Sequence, residues 1–288
     1  MNPILWQPHA DQRAHNQLAH FARAAGLPLD YPTIWRWSVD APVAFWGQVW
    51  QSCGVVGEMG SMVLVDGHAM PGAHWFPEAQ LNYAQNLLQH DLAEAIVFWG
   101  EDGTQRRYSS AELRSEVAAA QVALRQAGVN VGDRVAGYLP NIPEAVVYML
   151  ATAALGAIWS SASPDFGVQG VLDRFDQITP KVLIAADGYW YNGTWHDVLA
   201  KVEQVVAQLP SVQLTVIVGY TGVVQGQCAV AHLTHQQIKA TTPHGVVEYT
   251  RLPFNHPLFI MYSSGTTGAP KCIVHSAGGT LLQHLKEH

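Results

Sequence analysis

The chain has 288 residues, is 49% hydrophobic and 13% charged, and sets 15 Lys/Arg against 22 Asp/Glu for a net charge of −7. That describes a globular protein with a large buried core, long enough for one large or two ordinary domains. The basic residues form no cluster, which argues against nucleic acid as a partner, and no run approaches the roughly eighteen apolar residues that span a bilayer.

Cys53, Cys228 and Cys272 are scattered, without metal or redox spacing, which fits a reduced compartment. The first residues lack the basic and apolar regions of a signal peptide, so a cytoplasmic location is the expectation.

Residues 1–93 are rich in tryptophan, proline and histidine and read as a mainly helical segment. Helical spacing runs from Asp11 to Ala25, with Leu18, Phe21 and Ala25 as the apolar stripe and Gly26 and Pro28 as the stop. Asp40 reads as the cap of a second helix that carries Phe45, Val49 and Trp50 on one face. A third begins near Pro77 and runs to Leu88. Aromatics at this spacing read as core, with stacking on a base as the alternative.

Residues 94–288 change rhythm. Ala95–Trp99 and Thr104–Tyr108 form a hairpin about Glu101-Asp102-Gly103. Ser109 and Glu112 make a capping box for a helix that Gly128 ends. Strands follow at Arg134–Leu139, Ala157–Ser161, Val182–Ala186 and Gln213–Val218. Between them lie helices at Pro143–Leu155, Val168–Ile178 and Trp195–Gln208. A short helix at His232–Ala240 and a polar strand at Val246–Thr250 come next. Short apolar strands alternating with helices mean an α/β fold with a largely parallel sheet.

Leu258–Tyr262 then reads as a buried strand that breaks into Ser263-Ser264-Gly265-Thr266-Thr267-Gly268. Ile273-Val274 is a second short strand, and a helix starts at Ala277 and is still running, without a capping residue, at His288. Nothing in the loop is large enough to pack, but its amides can converge on an anion, with Gly265 and Gly268 free to take positive φ. Lys271 adds a point charge and Pro270 stiffens the exit. The pattern is not a Walker A motif, which needs glycine before the lysine and Ser or Thr after it. A flexible Gly/Thr surface loop is the competing reading.

This stretch resembles the phosphate-binding loop of the adenylate-forming enzymes, a superfamily of acyl-CoA synthetases, peptide-synthetase adenylation domains and luciferases. The likeness covers essentially the whole chain. Trp75-Phe76-Pro77-Glu78-Ala79-Gln80-Leu81-Asn82-Tyr83-Ala84 and Gly132-Asp133-Arg134-Val135 through Pro143-Glu144-Ala145 are similar to the acetyl- and acetoacetyl-CoA synthetase branch. Ile158-Trp159-Ser160-Ser161-Ala162-Ser163-Pro164-Asp165-Phe166-Gly167 and Asp187-Gly188-Tyr189-Trp190-Tyr191-Asn192-Gly193 resemble the acetoacetyl versions.

The resemblance implies the first part of the adenylate-forming fold. It also implies the family's two-step reaction, in which acetoacetate attacks the α-phosphorus of ATP·Mg2+ and the thiol of CoA then displaces AMP. Ser263, Ser264, Gly265, Thr266, Thr267, Gly268 and Lys271 would hold the ATP phosphates. Asp165, Phe166 and Gly167 would line the CoA side of the cleft, where Tyr191 and Thr194 stand in place of the arginines of acetyl-CoA synthetases. The family carries its adenine-binding segment, ribose-binding acid, metal-binding glutamate and catalytic lysine further along. They are expected downstream of His288, so no catalytic residue is assigned here. These 288 residues are expected to lack turnover, and a sheet cut short is expected to self-associate. The rival readings are a ligase for acetate or propionate and a non-catalytic nucleotide-binding module.

Other candidates are weaker. His232 and His235 have metal-ligand spacing but no acidic or cysteine partner nearby, and chance spacing is favoured. His275 reads as structural, with phosphate contact as the alternative. Asp165-Phe166-Gly167 lacks the companions of a kinase triplet. Arg106-Arg107 reads as a solvated pair and Cys272 as a small buried residue.

Overall fold

A computed structural model of the chain describes residues 5–241, 245–263, 268 and 270–287. Contacts divide the chain into two compact units, one of residues up to Gln80 with those from Leu281 onward, and one of Leu81–Thr280.

The first unit begins with α1 (Ala10–His15) and α2 (Gln17–Ala24). The single helix expected here is broken at Asn16, which is extended (φ −81°, ψ 167°) and caps α2 by accepting from the Ala19 amide. An asparagine gives up little by leaving a helix, because its side chain satisfies the next turn's free amides. α3 (Tyr31–Asp40) was not expected, although Asp30 caps it and Pro32 sits in its first turn. Asp40 therefore ends α3 rather than opening α4 (Pro42–Ser52), whose cap is Ala41. Phe21, Trp37, Phe45, Trp46 and Trp75 form a chain of tilted and edge-on ring contacts with centroids 5.1–6.2 Å apart. The aromatics thus pack on one another. β1 (Gly57–Glu58), β2 (Leu64–Val65) and β3 (His74–Trp75) are two-residue strands.

The expected helix from Pro77 shrinks to its last turn. Gln80–Leu81 is extended as β4, and α5 (Tyr83–Leu87) starts only after Asn82, whose Oδ1 accepts from the Gln85 amide. Asn82 is 2% exposed and its Nδ2 also reaches the carbonyls of Ala153, Ala154 and Thr250, so tertiary contacts set its extended backbone.

The second unit continues with the hairpin β5 (Ile96–Trp99) and β6 (Gln105–Tyr108), then α6 (Ser110–Gln126), whose Ser109–Glu112 capping box is formed. β7 (Arg134–Tyr138), α7 (Pro143–Leu155), β8 (Ile158–Ala162), α8 (Val168–Phe175) with a 3-10 turn over Asp176–Ile178, and β9 (Val182–Ala186) follow. Trp195 does not open a helix. It lies in the hairpin of β10 (Gly188–Tyr191) and β11 (Thr194–Asp197), and α9 (Leu199–Gln208) begins after it. The hairpin turns on Asn192 (φ 50°) and Gly193 (φ 73°), the dipeptide that such turns select.

β12 (Leu214–Val218), β13 (Leu233–Thr234), α10 (His235–Thr241), β14 (Leu252–Pro253), β15 (Pro257–Ser263), β16 (Lys271–Ser276) and α11 (Ala277–Glu287) complete the order. The helix expected from Ala277 is thus present through Glu287, and His288 lies outside the described residues. The polar strand expected over Val246–Thr250 is absent because a side chain takes its hydrogen bonds. Gln121 donates to the Glu248 carbonyl at 2.6 Å and accepts from the Glu248 amide at 3.0 Å.

The main sheet has seven strands in the order β13-β12-β9-β7-β8-β15-β16. Every pairing from β13 to β15 is parallel, and β16 alone runs antiparallel, beside β15. All five residues of β9 are buried, as a central strand covered on both faces must be. On one face Val171, Leu172 and Phe175 of α8 and Val202 and Val205 of α9 join Ala136, Tyr138, Leu183 and Ile217 in a single core.

Candidate functional site

From β7 the chain moves to β8 on one side and then to β9 on the other. Open α/β sheets bind ligands outside the carboxyl ends of their strands at such a reversal. The candidate residues follow β8 and β15, so both groups lie at that edge.

After β8, the Tyr138 hydroxyl at the end of β7 donates to the carbonyls of Phe166 (2.7 Å) and Pro164 (3.0 Å). These bonds fix the loop that carries Asp165, Phe166 and Gly167. The Asp165 carboxylate accepts from Ser163 Oγ. Burial, then the nearby Tyr189 and Asp165, push the Tyr138 phenol up to about 12, and burial followed by Asp165 raises Tyr189. Tyr189 stacks on His196 at 5.0 Å within the β10–β11 hairpin. The Asp165 carboxylate thus raises both the Tyr138 and the Tyr189 phenol, in each case after burial. Gly167 caps α8, and the Arg174 guanidinium lies 4.1 Å over the Phe166 ring.

The second group sits on the β15–β16 hairpin. Its register sets Tyr262 opposite Cys272 and Ser263 opposite Lys271. Tyr262 is anchored, because its hydroxyl donates to the Arg174 carbonyl at 3.2 Å and lies 2.9 Å from Ser160 Oγ. The Arg174 guanidinium is 5.8 Å from its ring, and burial pushes its phenol up to about 12. Gly268 has φ 137° and is exposed, a conformation that favours glycine. Ser263 is half-buried and Lys271 exposed. Ser264, Gly265, Thr266 and Thr267 of the candidate set lie outside the described residues. So does His288, the residue beyond which the resemblance sets the catalytic groups; no described residue is assigned a catalytic role.

Two side chains depart from expectation. Cys272 is exposed rather than buried, because β16 is the edge strand and pairs on one side only. Arg106 is not solvated. It makes a two-pronged ion pair with Glu144 at 2.5 and 3.0 Å, with side-chain exposures of 14% and 3%. Only Arg107, paired with Glu94, is half-exposed.

His235 lies in a buried polar network, with Nδ1 3.0 Å from the Tyr148 hydroxyl and Nε2 3.0 Å from Glu116. Lys239 also pairs with Glu116. Burial pushes the Glu116 carboxyl up, but the hydrogen bonds and charges of His235 and Lys239 outweigh it and leave the carboxyl below its ordinary value. His275 is exposed on β16. Among the described residues no group of three His, Cys, Asp or Glu could hold a metal ion. These described side chains offer no protein cage for Mg2+.

Residues 84–287 match the family model of the AMP-binding enzymes. The chain belongs to that family. Residues 31–87 also match the family model of the acetyl-coenzyme A synthetase N-terminus. The chain is 49% identical over 297 residues to acetoacetyl-coenzyme A synthetase of Rhizobium meliloti, covering 99% of this chain and 45% of that protein. It is 43% identical to acetoacetyl-CoA synthetase of Danio rerio, again covering 99% and 45%. The solved acetoacetyl-CoA synthetase of Streptomyces lividans superposes with a TM-score of 0.91 at 41% identity, over 99% of this chain and 45% of that one. The chain thus spans a little under half the length of the relatives it matches. Among the described residues no helix is long and apolar enough to cross a membrane.

The sequence held no local sign of Arg174 or Tyr138 as supports of the site. Both act through contacts between segments distant in sequence.

Proposed function

We propose that these 288 residues carry the phosphate-binding hairpin of an ATP-dependent acid–thiol ligase, with acetoacetate as the acid and CoA as the thiol. The observation that carries the reading is the pairing of Ser263 with Lys271 across β15–β16, at the carboxyl edge of a parallel sheet. There a hydroxyl and an ammonium flank a glycine-bearing connection. Ser263, Ser264, Gly265, Thr266, Thr267 and Gly268 supply amides and hydroxyls to the β- and γ-phosphates of ATP, and Lys271 supplies the cation. Catalysis of phosphoryl and adenylyl chemistry is mostly positioning and charge stabilisation. Holding the polyphosphate is therefore a function in its own right, and it is the one assigned to this chain, apart from turnover.

The loop of Asp165, Phe166 and Gly167 forms the second wall of the cleft and faces CoA. The acid is inferred from the acetoacetyl-CoA synthetase names of the relatives. A different short acid is the second reading, because a 39% identical relative from Penicillium aethiopicum is a malonamoyl-CoA synthetase.

Calorimetric titration of the chain with ATP·Mg2+, in the native protein and in K271A, tests the reading. Saturable binding that weakens about tenfold in the variant is expected for loss of one charge-assisted, partly solvated contact. Equal affinity of the two proteins would remove Lys271 from the site.

A further inference from the structure

β16 is an edge strand whose residues Lys271–His275 are all exposed. Burial therefore does little to specify its register, and a slip of one residue would exchange the faces of Lys271 and Cys272. The structure contains a device against that slip. Gln177, in the 3-10 turn after α8, has its whole amide engaged. Its Nε2 donates to the Asp173 carbonyl at 2.6 Å and to the Pro270 carbonyl at 2.8 Å, and its Oε1 accepts from the Cys272 thiol at 3.5 Å. It therefore grips the residues on either side of Lys271.

The partner strand is held from the adjoining α8, because Tyr262 donates to the Arg174 carbonyl and stands directly opposite Cys272. Directly opposed residues share a face, and their neighbours along the strands take the other face. Holding Tyr262 and Cys272 on the α8 side sends Ser263 and Lys271 to the opposite side together. α8 starts at Gly167, and Arg174 covers Phe166, so one rigid element ties both candidate loops.

We propose that Gln177 is a positioning residue for nucleotide binding, which fixes the register of β16 and thereby the side on which Lys271 is presented. The proposal rests on the reading of Lys271 as a phosphate ligand. Its test is a double-mutant cycle of Q177L and K271A in the 288-residue chain, read by ATP·Mg2+ affinity, with the unfolding midpoint of each protein measured alongside.

Q177L is expected to weaken binding about fivefold to tenfold, and less than twofold when Lys271 is already alanine, because the two act through one contact. General loosening of the fold would lower affinity by the same factor in both backgrounds. Such an additive result, or unchanged affinity in Q177L, overturns the proposal while leaving the phosphate reading intact. If the native chain binds no nucleotide, the phosphate reading fails and amide exchange judges the grip by itself. Exchange of residues 271–276 should quicken about tenfold in Q177L while residues 134–138 stay as in the native chain. Equal exchange of residues 271–276 in the two proteins overturns the grip.

Discussion

Replacing Glu144 by alanine tests whether Arg106 is a core residue, against the solvated pair that its sequence suggests. The guanidinium makes two hydrogen bonds to Glu144 and lies 5.0 Å over the Phe98 ring. The Arg106 side chain is 14% exposed and that of Glu144 3%. Removing one partner of such a pair leaves a charge largely shielded from water, at a cost of about 3–5 kcal/mol. Glu144 also sits in the first turn of α7, where a carboxylate stabilises the helix dipole by about 0.3–1 kcal/mol. At a urea m-value of about 3 kcal/mol/M, the unfolding midpoint of E144A should fall by about 1–1.7 M without a change in m. The double variant R106M/E144L removes both charges and keeps apolar volume, and should recover to within about 2 kcal/mol of the native protein. Circular dichroism against urea reads E144A and the four corners of the cycle, which are the native protein, R106M, E144L and R106M/E144L. A loss below 1 kcal/mol in E144A would refute the buried pair. So would a double variant as unstable as the sum of its singles.

Three further predictions concern the frame around the site. Glu116 is held below its ordinary carboxyl value of 4.5 by His235 and Lys239, against the opposing effect of burial. A depressed folded value means that its contribution is present above the unfolded value and is lost as pH falls through the folded one. E116Q should therefore flatten the acid limb of the stability profile below about pH 4.5, the same unperturbed value. An unchanged acid limb would dissociate Glu116 from it. G278A would set a Cβ 2.1 Å from the ring of Phe254, itself 5% exposed. Such overpacking costs about 1–3 kcal/mol, read as a lower melting temperature, whereas G103A, with nothing within 4 Å, meets no steric clash and loses about 1–2 kcal/mol through its positive φ of 85° alone. N82A removes donors to three carbonyls and the cap of α5, and should destabilise by about 2–4 kcal/mol. A near-neutral N82A would show that water replaces them.

The parallel sheet was legible because its strands are short apolar runs between helices with their own signals. Pro143 starts α7 and Gly156, at φ 75°, ends it, and both are written locally. Two of the departures share one cause, since long-range partners overrode local preference. Asn82 is extended because three distant carbonyls hold it, and Glu248 is kept from strand pairing by Gln121. The Asn192-Gly193 hairpin and the Asp30–Pro32 helix start are different, being set by local signals.

At the site, residue types pointed to the proposed phosphate contact, but the supports did not declare themselves. Neither Arg174 nor Gln177 has a motif, and each stands out only because α8 and the 3-10 turn after it reach β15 and β16. Cys272 read as buried because a cysteine on an apolar strand usually is. Only the sheet order reveals that its strand is an edge.

The central claim is that the β15–β16 hairpin grips the polyphosphate of a nucleotide through Lys271. Calorimetric titration of ATP·Mg2+ into the native chain and into K271A tests it most directly. Saturable binding, about tenfold weaker in K271A and weaker still as salt rises, is the predicted result. Absence of binding by the native chain, or the same affinity in both proteins, would contradict it.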